Sequence, residues 1–321
     1  MNEIKYFVGK ENNFLIEPSL PFGKIEIDFL SHLSKVLMLN KQSKKYSDII
    51  SFAFWCRKQN LENLKKKLLD PELRLGLGCI FHVSPSNVPL NFAYSFAFGL
   101  LTGNSNLVKL PSQDFEQIEI FCKSIKKILN LKKFKNLSQR NLFFKYNSSN
   151  FNLTQKLSLK ADGRMVWGGD KTIETLKSFK TKPRTKDIFF ADRYSFCIIK
   201  SKAINNCNQN VLEKIVIRFY NDTYFMDQNA CSSPHLIIWL GNSRENKLAK
   251  EKFWKNMFDI VKKKYLLEPA NIIDKYTNAC KDLIKFSFVK DFKNYENLIY
   301  RLKISKLDNV EKLNNKFGYF Y

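Results

Sequence analysis

Leu75–Leu110, with the sequence LGLGCIFHVSPSNVPLNFAYSFAFGLLTGNSNLVKL, is the stretch that decides the fold. An apolar run up to Val83 predicts a buried strand, a loop with two prolines interrupts it, and an apolar helix follows. A glycine–asparagine turn then leads into a second apolar run, which predicts another strand over residues 106–110. A strand, a helix and a second strand in this order are typical of a parallel βαβ unit.

The same alternation of strands and helices continues on both sides of this unit. Upstream, residues 24–69 predict two helices, the second of them over 46–69. Downstream, the pattern predicts helices over 114–131, 170–179, 211–220 and 243–266, and strands over 141–146, 164–167, 196–200 and 236–240. Strands that alternate with helices favour an α/β fold with a parallel sheet of the dinucleotide-binding (Rossmann) type.

The composition indicates a globular protein of about two domains. The chain has 321 residues, of which 44% are hydrophobic and 14% aromatic, which is enough for a substantial core. The N-terminus lacks a signal-peptide pattern, and the longest mostly apolar segment, Pro89–Leu101, is too short to span a bilayer. Seven dispersed cysteines and only three histidines argue against disulfides and against a metal site. We therefore expect a cytoplasmic protein with no metal and no transmembrane segment.

The formal net charge of +24 raises the question of a nucleic-acid partner. The lysines are spread along the whole chain, and no motif combines aromatic and basic residues as nucleic-acid recognition requires. Most of the short lysine clusters are therefore interpreted as solvated helix faces. The basic balance also suits anionic ligands such as dinucleotides and coenzyme A, and we expect no nucleic-acid partner.

Cys231 lies in a short polar loop directly before the strand predicted over residues 236–240. A thiol at such a junction can be held rigidly and still remain open to a substrate, and its thiolate is a nucleophile. The alternative is that Cys231 packs as a small hydrophobic residue. His235 follows four residues later, but we expect it to point into the sheet or into solvent, and we assign it no general-base role.

Two further loops follow predicted strands, where the ligands of parallel sheets bind. Asn87 lies between Pro85 and Pro89, so its carboxamide could stabilise an oxyanion or simply cap the following helix. Gly168 and Gly169 precede a predicted helix, where backbone amides could approach a phosphate. A glycine pair is equally well explained by the steric needs of a turn.

Five collinear motifs resemble those of one enzyme family. The family is that of the bacterial acyl-CoA reductases, the LuxC-type long-chain fatty acid reductases of the aldehyde dehydrogenase superfamily. The match runs from about Gly76 to Pro234 in the family's order. The motifs are residues 84–90 (SPSNVPL), 103–112 (GNSNLVKLPS), 167–170 (WGGD), 192–196 (DRYSF) and 227–234 (DQNACSSP).

The resemblance implies an aldehyde-dehydrogenase-like α/β fold, with a parallel-sheet Rossmann-type cofactor domain and an incomplete α/β catalytic domain. The expected ranges are an N-terminal helical segment over 1–70 that packs on the cofactor domain, a dinucleotide-binding domain over 71–222 and a catalytic domain over 223–321. The catalytic domain is expected to be incomplete because family members continue well past Tyr321. This leaves an alternative open: a catalytically impaired subunit or fragment that binds cofactor or acyl groups.

The resemblance also implies a two-step reduction of an acyl-CoA or another acyl thioester. Cys231 would form an acyl-enzyme, and hydride from NADPH would then release an aldehyde. Asn87 and the backbone amide of Cys231 would form the oxyanion hole. Five residues would line the cofactor site: Lys109, Ser112, Gln113, Gly168 and Gly169. The family also implies an acyl-transferring or synthetase partner protein and a homo-oligomer.

Three departures from the superfamily patterns bear on the site. Leu110 separates Lys109 from Pro111, whereas the superfamily has lysine and proline adjacent. Gln113 stands where many NAD-using relatives carry an acidic residue, which favours NADPH and leaves NADH as the alternative. Residues 189–195 lack the glutamate with which hydrolytic members activate water, so an acyl-enzyme would be kept for hydride.

Overall fold

The computed structural model describes residues 4–86, 88–307 and 312–321. The chain forms two compact units, Met1–Asp192 and Arg193–Tyr321. The domain ranges expected from the sequence stay predictions. Compactness divides the chain after Asp192 because the strand Ser195–Lys200 pairs with Pro234–Leu240 inside the second unit.

The first unit alternates helices and strands, as predicted from the sequence. Its strands are β1 (Lys5–Val8), β2 (Cys79–Val83), β3 (Ser105–Lys109), β4 (Asn141–Lys145), β5 (Gly163–Trp167) and β6 (Lys186–Phe190). Its helices are α1 (Lys24–Leu39), α2 (Ser47–Trp55), α3 (Lys58–Lys65), α4 (Asn91–Leu101), α5 (Glu116–Leu129), α6 (Lys135–Arg140), α7 (Phe151–Lys160) and α8 (Asp170–Ser178).

The strands of this unit form one sheet in the order β1-β4-β3-β2-β5-β6. All neighbouring strands run parallel except β1, which pairs antiparallel with β4 at the edge. From β2 the chain builds outwards through β3 and β4, and it then returns to add β5 and β6 on the other side of β2. The predicted α/β fold with a parallel sheet is confirmed, and its strand order reverses between β2 and β5.

Helices cover this sheet on both faces, which explains why its central strands are apolar throughout. Val108 and Phe143 belong to the core beneath α1, α4 and α5. Leu107 and Leu142, one residue earlier in the same strands, belong to the core beneath α7 and α8. Successive residues therefore serve opposite cores, as the period of two in a strand requires.

The prediction of one helix over residues 46–69 was wrong in its extent, because two helices, α2 and α3, cover this region. Arg57 has an extended backbone (φ −61°, ψ 140°), which interrupts the helical path between them. The Asn60 side chain donates a 2.9 Å hydrogen bond to the carbonyl of Phe54 and so replaces a helical bond at the end of α2. The edge strand β6 was not predicted, since its first three residues are exposed and show no apolar run.

A polar seam crosses the interior of the parallel sheet. His82 on β2 is 1% exposed, and its Nδ1 lies 2.8 Å from Ser95 Oγ. Its Nε2 lies 2.9 Å from Asn106 Oδ1, and Asn106 Nδ2 donates to Asn141 Oδ1 at 2.8 Å. Because a carboxamide oxygen only accepts, Nε2 of His82 carries the proton. Burial lowers the pKa of His82 to about 4, so this imidazole is neutral at pH 7.

The second unit contains a parallel strand pair and a small mixed sheet. Its strands are β7 (Ser195–Lys200), β8 (Pro234–Leu240), β9 (Val289–Tyr295), β10 (Ile299–Ile304) and β11 (Tyr319–Phe320). Its helices are α9 (Ser201–Asn206), α10 (Gln209–Thr223), α11 (Ser243–Lys264) and α12 (Pro269–Lys285). β7 and β8 are parallel, β9 and β10 form an antiparallel hairpin, and β11 runs parallel to β10. Within the described residues, no helix is long and apolar enough to cross a membrane.

Tyr321 joins the two sheets of this unit. Its N–H donates to the carbonyl of His235 at 2.9 Å, and its carbonyl accepts from the N–H of Ile237 at 2.8 Å. β11 therefore pairs with β10 on one side, and Tyr321, the residue directly after β11, bonds to β8 on the other side. Asp282 Oδ2 accepts from the hydroxyls of Tyr319 and Tyr321 at 2.9 and 2.5 Å, which fastens this segment to α12.

We expect His82 to make the first unit acid-sensitive. Between pH 6.5 and 4, His82 binds a proton in the unfolded chain but not in the folded one. The free energy of unfolding therefore falls as pH falls through this window. The loss at pH 4 is about 3 kcal/mol. Urea unfolding between about pH 4 and 7, followed by tryptophan fluorescence, measures it.

The matched pair of variants is His82→Gln and His32→Gln, since His32 is exposed. His82→Gln should flatten the pH dependence of the unfolding free energy, and His32→Gln should leave it unchanged. An unaltered pH dependence in His82→Gln would mean that this imidazole is not the titrating group.

Candidate active site

A crevice of about 550 Å³ opens in the first unit at the carboxyl ends of its parallel strands. Val83 and Ser84 line it from the end of β2, Lys109 from the end of β3, and Trp167 and Gly168 from the end of β5. It therefore lies at the point where the strand order reverses. In open α/β sheets this is the position where ligands bind, because the loops on either side of it diverge.

Lys109 is the buried cation of this crevice. It is 8% exposed, and its Nζ donates to Ser148 Oγ at 2.9 Å and lies 5.1 Å from the ring centroid of Tyr146. Burial lowers the pKa of Lys109 to about 8, so it is still mainly protonated at pH 7. A partly desolvated ammonium at a strand end can bind a phosphate or a ribose hydroxyl.

The other two predicted cofactor residues of this strand-end loop have different positions. Ser112 lines the crevice, and its Oγ lies 3.2 Å from Ser148 Oγ. Gln113 is not among the described residues that line the crevice, and its carbonyl accepts from Lys145 Nζ at 3.0 Å. Ser112 and Lys109 thus both contact Ser148, whereas Gln113 contacts Lys145.

The glycine pair forms the opposite wall of the crevice. Gly169 is the N-cap of α8, and no side chain caps the N–H groups of the first turn of this helix. A Cβ on Gly169 would lie 2.9 Å from Asp192 Oδ2, and a Cβ on Gly168 would lie 3.0 Å from Thr172. Both turn packing and access to the helix amides therefore require small residues here, which supports both interpretations of the pair.

Cys231 lies in the second unit, in the loop between α10 and β8. It is exposed, whereas Cys56, Cys79 and Cys122 are buried and the other three cysteines are half-buried. Its carbonyl accepts a 2.7 Å hydrogen bond from Ser195 Oγ at the start of β7. The interpretation of Cys231 as a core residue is therefore wrong, and its thiol is open to solvent.

Gln228, three residues before the cysteine, holds the cysteine loop in place. It is 1% exposed. Its Oε1 accepts from the N–H groups of Gly318 and Tyr319 at 2.8 and 2.9 Å. Its Nε2 donates to the carbonyls of Pro234 and Tyr319 at 3.2 and 3.1 Å. One carboxamide thus satisfies backbone groups of Pro234, which follows the loop, and of Gly318 and Tyr319.

The neighbours of Gln228 reinforce this anchor. Asp227 and Gln228 both have left-handed backbone (φ 53° and 57°), which bends the chain sharply before Cys231. Asp227 Oδ1 accepts from the Tyr265 hydroxyl at 2.5 Å. Ser233 Oγ donates to the carbonyl of Asp222 at 2.7 Å. These residues were given no role on the basis of the sequence, although the polar run around the cysteine is a signal for a hydrogen-bonded loop.

His235 and Asn87 complete the set of residues named from the sequence. His235 Nδ1 donates to the carbonyl of Asn315 at 2.9 Å, and burial lowers its pKa. Its ring is thus bound to backbone, as expected for a residue without a general-base role. Asn87 lies outside the described residues, while Ser84–Ser86 before it line the crevice of the first unit.

We predict that Gln228→Leu loosens the cysteine loop. The change leaves two N–H groups and two carbonyls without their buried partner, which lowers the free energy of unfolding by about 2–4 kcal/mol. Hydrogen exchange of Tyr319–Tyr321 and the rate at which a thiol reagent modifies Cys231 should both rise. Gln209→Leu is the control, since the Gln209 carboxamide bonds to Asn256 at the surface. Equal effects of the two changes would contradict the anchoring role.

Comparison with solved structures shows an aldehyde-dehydrogenase-like fold. An oxidoreductase from Marinobacter aquaeolei superposes with a TM-score of 0.64 at 11% identity, over 93% of this chain and 67% of that one. An NAD-dependent benzaldehyde dehydrogenase from Corynebacterium glutamicum gives 0.62 at 10% identity, over 94% and 70%. Aldehyde dehydrogenase 21 from Physcomitrella patens gives 0.63 at 12% identity, over 94% and 69%. The chain thus spans about two-thirds of the length of these structures.

The match to a family model is more specific than the similarity of folds. No curated protein matches the chain. The family model described as acyl-CoA reductase (LuxC) matches residues 30–280, a range that includes the crevice, the glycine pair and the cysteine loop. With most of its length matched, the chain belongs to the LuxC family of acyl-CoA reductases.

Proposed function

We propose that this protein reduces a long-chain acyl-CoA, or another acyl thioester, to the aldehyde with NADPH, through an acyl thioester on Cys231. The observation that carries the proposal is the exposed Cys231 in a loop held by buried hydrogen bonds, in a chain of the acyl-CoA reductase family. The crevice at the reversal of the strand order supplies the second requirement, a place for a dinucleotide.

In the first step of this proposal, the Cys231 thiolate attacks the thioester carbonyl carbon. The new Sγ–C bond forms as the bond to the coenzyme A sulfur breaks, and that sulfur leaves as a thiolate that takes up a proton. NADPH, when bound, supplies the hydride that reduces the acyl group. The Sγ–C bond then breaks, the aldehyde leaves, and the Cys231 thiolate is regenerated. Asn87 and the backbone N–H of Cys231 are proposed to stabilise the negative oxygen in both steps.

Two features of the crevice of the first unit support the proposed cofactor site. The uncapped N–H groups of α8 beside Gly168 and Gly169 suit the pyrophosphate, and the Lys109 ammonium suits the adenosine ribose. A ribose 2′-phosphate would gain from the cation of Lys109, which favours NADPH over NADH.

The loop after β6 favours reduction over hydrolysis. Residues 189–195 contain no glutamate that could activate water against an acyl-enzyme. Asp192, the carboxylate of this segment, lies beside Gly169 in the crevice of the first unit. We propose that the acyl group on Cys231 therefore persists until hydride is available, and that an acyl-transferring or synthetase protein can supply the acyl group.

We predict that Cys231→Ser abolishes acylation. Incubation of the wild-type protein with a long-chain acyl-CoA should add one acyl mass, released by hydroxylamine, and addition of NADPH should consume cofactor absorbance. Cys231→Ser should show neither effect, and Cys280→Ser, at a half-buried cysteine, should show both. Acylation without NADPH consumption would contradict the proposed reductase activity and favour the alternative of an acyl-binding subunit. Acylation of Cys231→Ser would exclude this nucleophile.

We expect NADPH binding to weaken as pH rises through about 8. Lys109 loses its proton in this range, so the affinity should fall by up to about tenfold between pH 7 and 9. Lys109→Met should bind weakly at both pH values, and Lys109→Arg should keep its affinity at pH 9. Lys123→Met on the exposed face of α5 is the control. Cofactor fluorescence measures the affinity. If the affinity of Lys109→Met for NADPH kept the pH dependence of the wild type, Lys109 would not belong to the cofactor site.

A further inference from the structure

Asp192 is the single carboxylate among the described residues that line the crevice of the first unit. The other charged side chains of this lining are the ammonium groups of Lys109 and Lys171. Asp192 is exposed and follows β6 by two residues. A carboxylate repels phosphates, so the phosphates of a bound dinucleotide do not explain why a negative charge lies in this crevice.

Asp192 also lacks the structural roles that surface aspartates commonly have. The N–H groups in the first turn of α8 have no side-chain cap, although the carboxylate lies close to Gly169. None of the ion pairs between described residues includes Asp192. A substitution of Asp192 by asparagine therefore removes a charge from the crevice without breaking a hydrogen bond or an ion pair in this part of the chain.

The position of Asp192 follows from the paired ends of β5 and β6. Trp167 and Phe190 end these strands and pair in register, and their rings stack with centroids 3.8 Å apart and planes at 10°. The N–H of Gly168 donates to the carbonyl of Phe190 at 3.2 Å, so the contact between the two strands continues past Trp167. Asp192 Oδ2 lies 2.9 Å from the point that a Cβ on Gly169 would occupy. The carboxylate is thus close to the N-terminus of α8.

The order of the strands gives the crevice a direction. Lys109 ends β3, β2 comes next in the sheet, Gly168 follows β5, and Asp192 follows β6. In the proposed function, on which this step rests, the adenosine ribose binds at Lys109 and the pyrophosphate at Gly168 and Gly169. The nicotinamide half of the cofactor would then extend towards the end of β6, and its ring would lie near Asp192.

The nicotinamide ring is the part of the cofactor whose charge changes in the reaction. It is neutral in NADPH and carries one positive charge in NADP⁺, whereas the phosphates are the same in both forms. Repulsion between Asp192 and the pyrophosphate is therefore common to both forms and cancels when their affinities are compared. The attraction between the carboxylate and the cationic ring remains, and it is stronger where the crevice excludes water.

We propose that Asp192 distinguishes the two oxidation states of the cofactor and, through the charge of its carboxylate, favours the binding of NADP⁺ over that of NADPH. The expected contribution is about fivefold in relative affinity, which corresponds to about 20 mV for a two-electron couple. Tighter binding of the oxidised form makes the bound cofactor a stronger reductant by this amount, which favours reduction of the acyl group. Asp192 is thus a specificity-determining residue of the proposed cofactor site.

The test measures binding of NADPH and NADP⁺ to the full chain and needs no reductase assay. Cofactor fluorescence gives the dissociation constant of NADPH, and competition gives that of NADP⁺. Asp192→Asn should lower the preference for NADP⁺ about fivefold at an ionic strength of about 20 mM, and by less than about twofold at about 0.5 M, because salt screens the carboxylate. Asp192→Glu keeps the charge and should keep the preference.

Asp170→Asn is the matched control. Asp170 is exposed in the first turn of α8 and is not among the residues that line the crevice, so this change removes the same charge from the same region. The affinities for NADPH and NADP⁺ should shift alike, and their ratio should stay within about twofold of wild type.

Three results would overturn the inference and leave the proposed cofactor site intact. The first is that Asp192→Asn binds both forms with the wild-type ratio at low ionic strength. The second is an equal change of the ratio in Asp170→Asn, which would indicate net charge and not position. The third is a change of the ratio in Asp192→Asn that persists at high salt, which would indicate a structural effect. If the wild type bound neither form, the proposed cofactor site would be contradicted and this inference with it.

Discussion

The parallel pairing of β2 with both β3 and β5 is the constraint on which the first unit depends. Parallel strands require crossovers, and the crossovers place helices on both faces of the sheet. Because the chain leaves β2 towards β3 and returns to add β5 on its other side, the loops after β2 and β5 diverge. The crevice between them is a consequence of this topology, and Lys109, Gly168 and Gly169 reach it because they follow or end these strands.

The second unit depends on a different kind of interaction, the burial of backbone groups bonded to one side chain. Gln228 bridges the cysteine loop, the start of β8 and β11 with four hydrogen bonds. A carboxamide is suited to this position because it both donates and accepts. In a buried environment each of these bonds is costly to leave unmade, so the position of the loop is defined although Cys231 itself is exposed. Gln228 therefore fixes the position of the loop, while Cys231 remains accessible to solvent.

Most strands and helices between β2 and α11 were predictable from the sequence, whereas β1, α6, α7, β6, α9, α12 and β9 to β11 were not predicted. The strands β2 to β5 and the helices α4, α5 and α8 follow from apolar runs and periods, because burial on one or both faces leaves a pattern in the chain. β6 was missed because it lies at an edge, where exposed residues carry no such pattern. The chain leaves the helical path at Arg57 between α2 and α3, and the bond from Asn60 to Phe54 that accompanies this break is not revealed by any hydrophobic period.

The sequence by itself determined the fold class, the family and the identity of the exposed cysteine, since each depends on residue types in a fixed order along the chain. Only the tertiary structure decided the rest. It showed that Gln228 is an anchor, and that Lys109 and Ser112 meet at Ser148 while Gln113 does not line the crevice. These are properties of residues that are distant in the sequence, and their contacts exist only after strands and helices have packed, because burial and distance are set by the packing and not by the order of the chain.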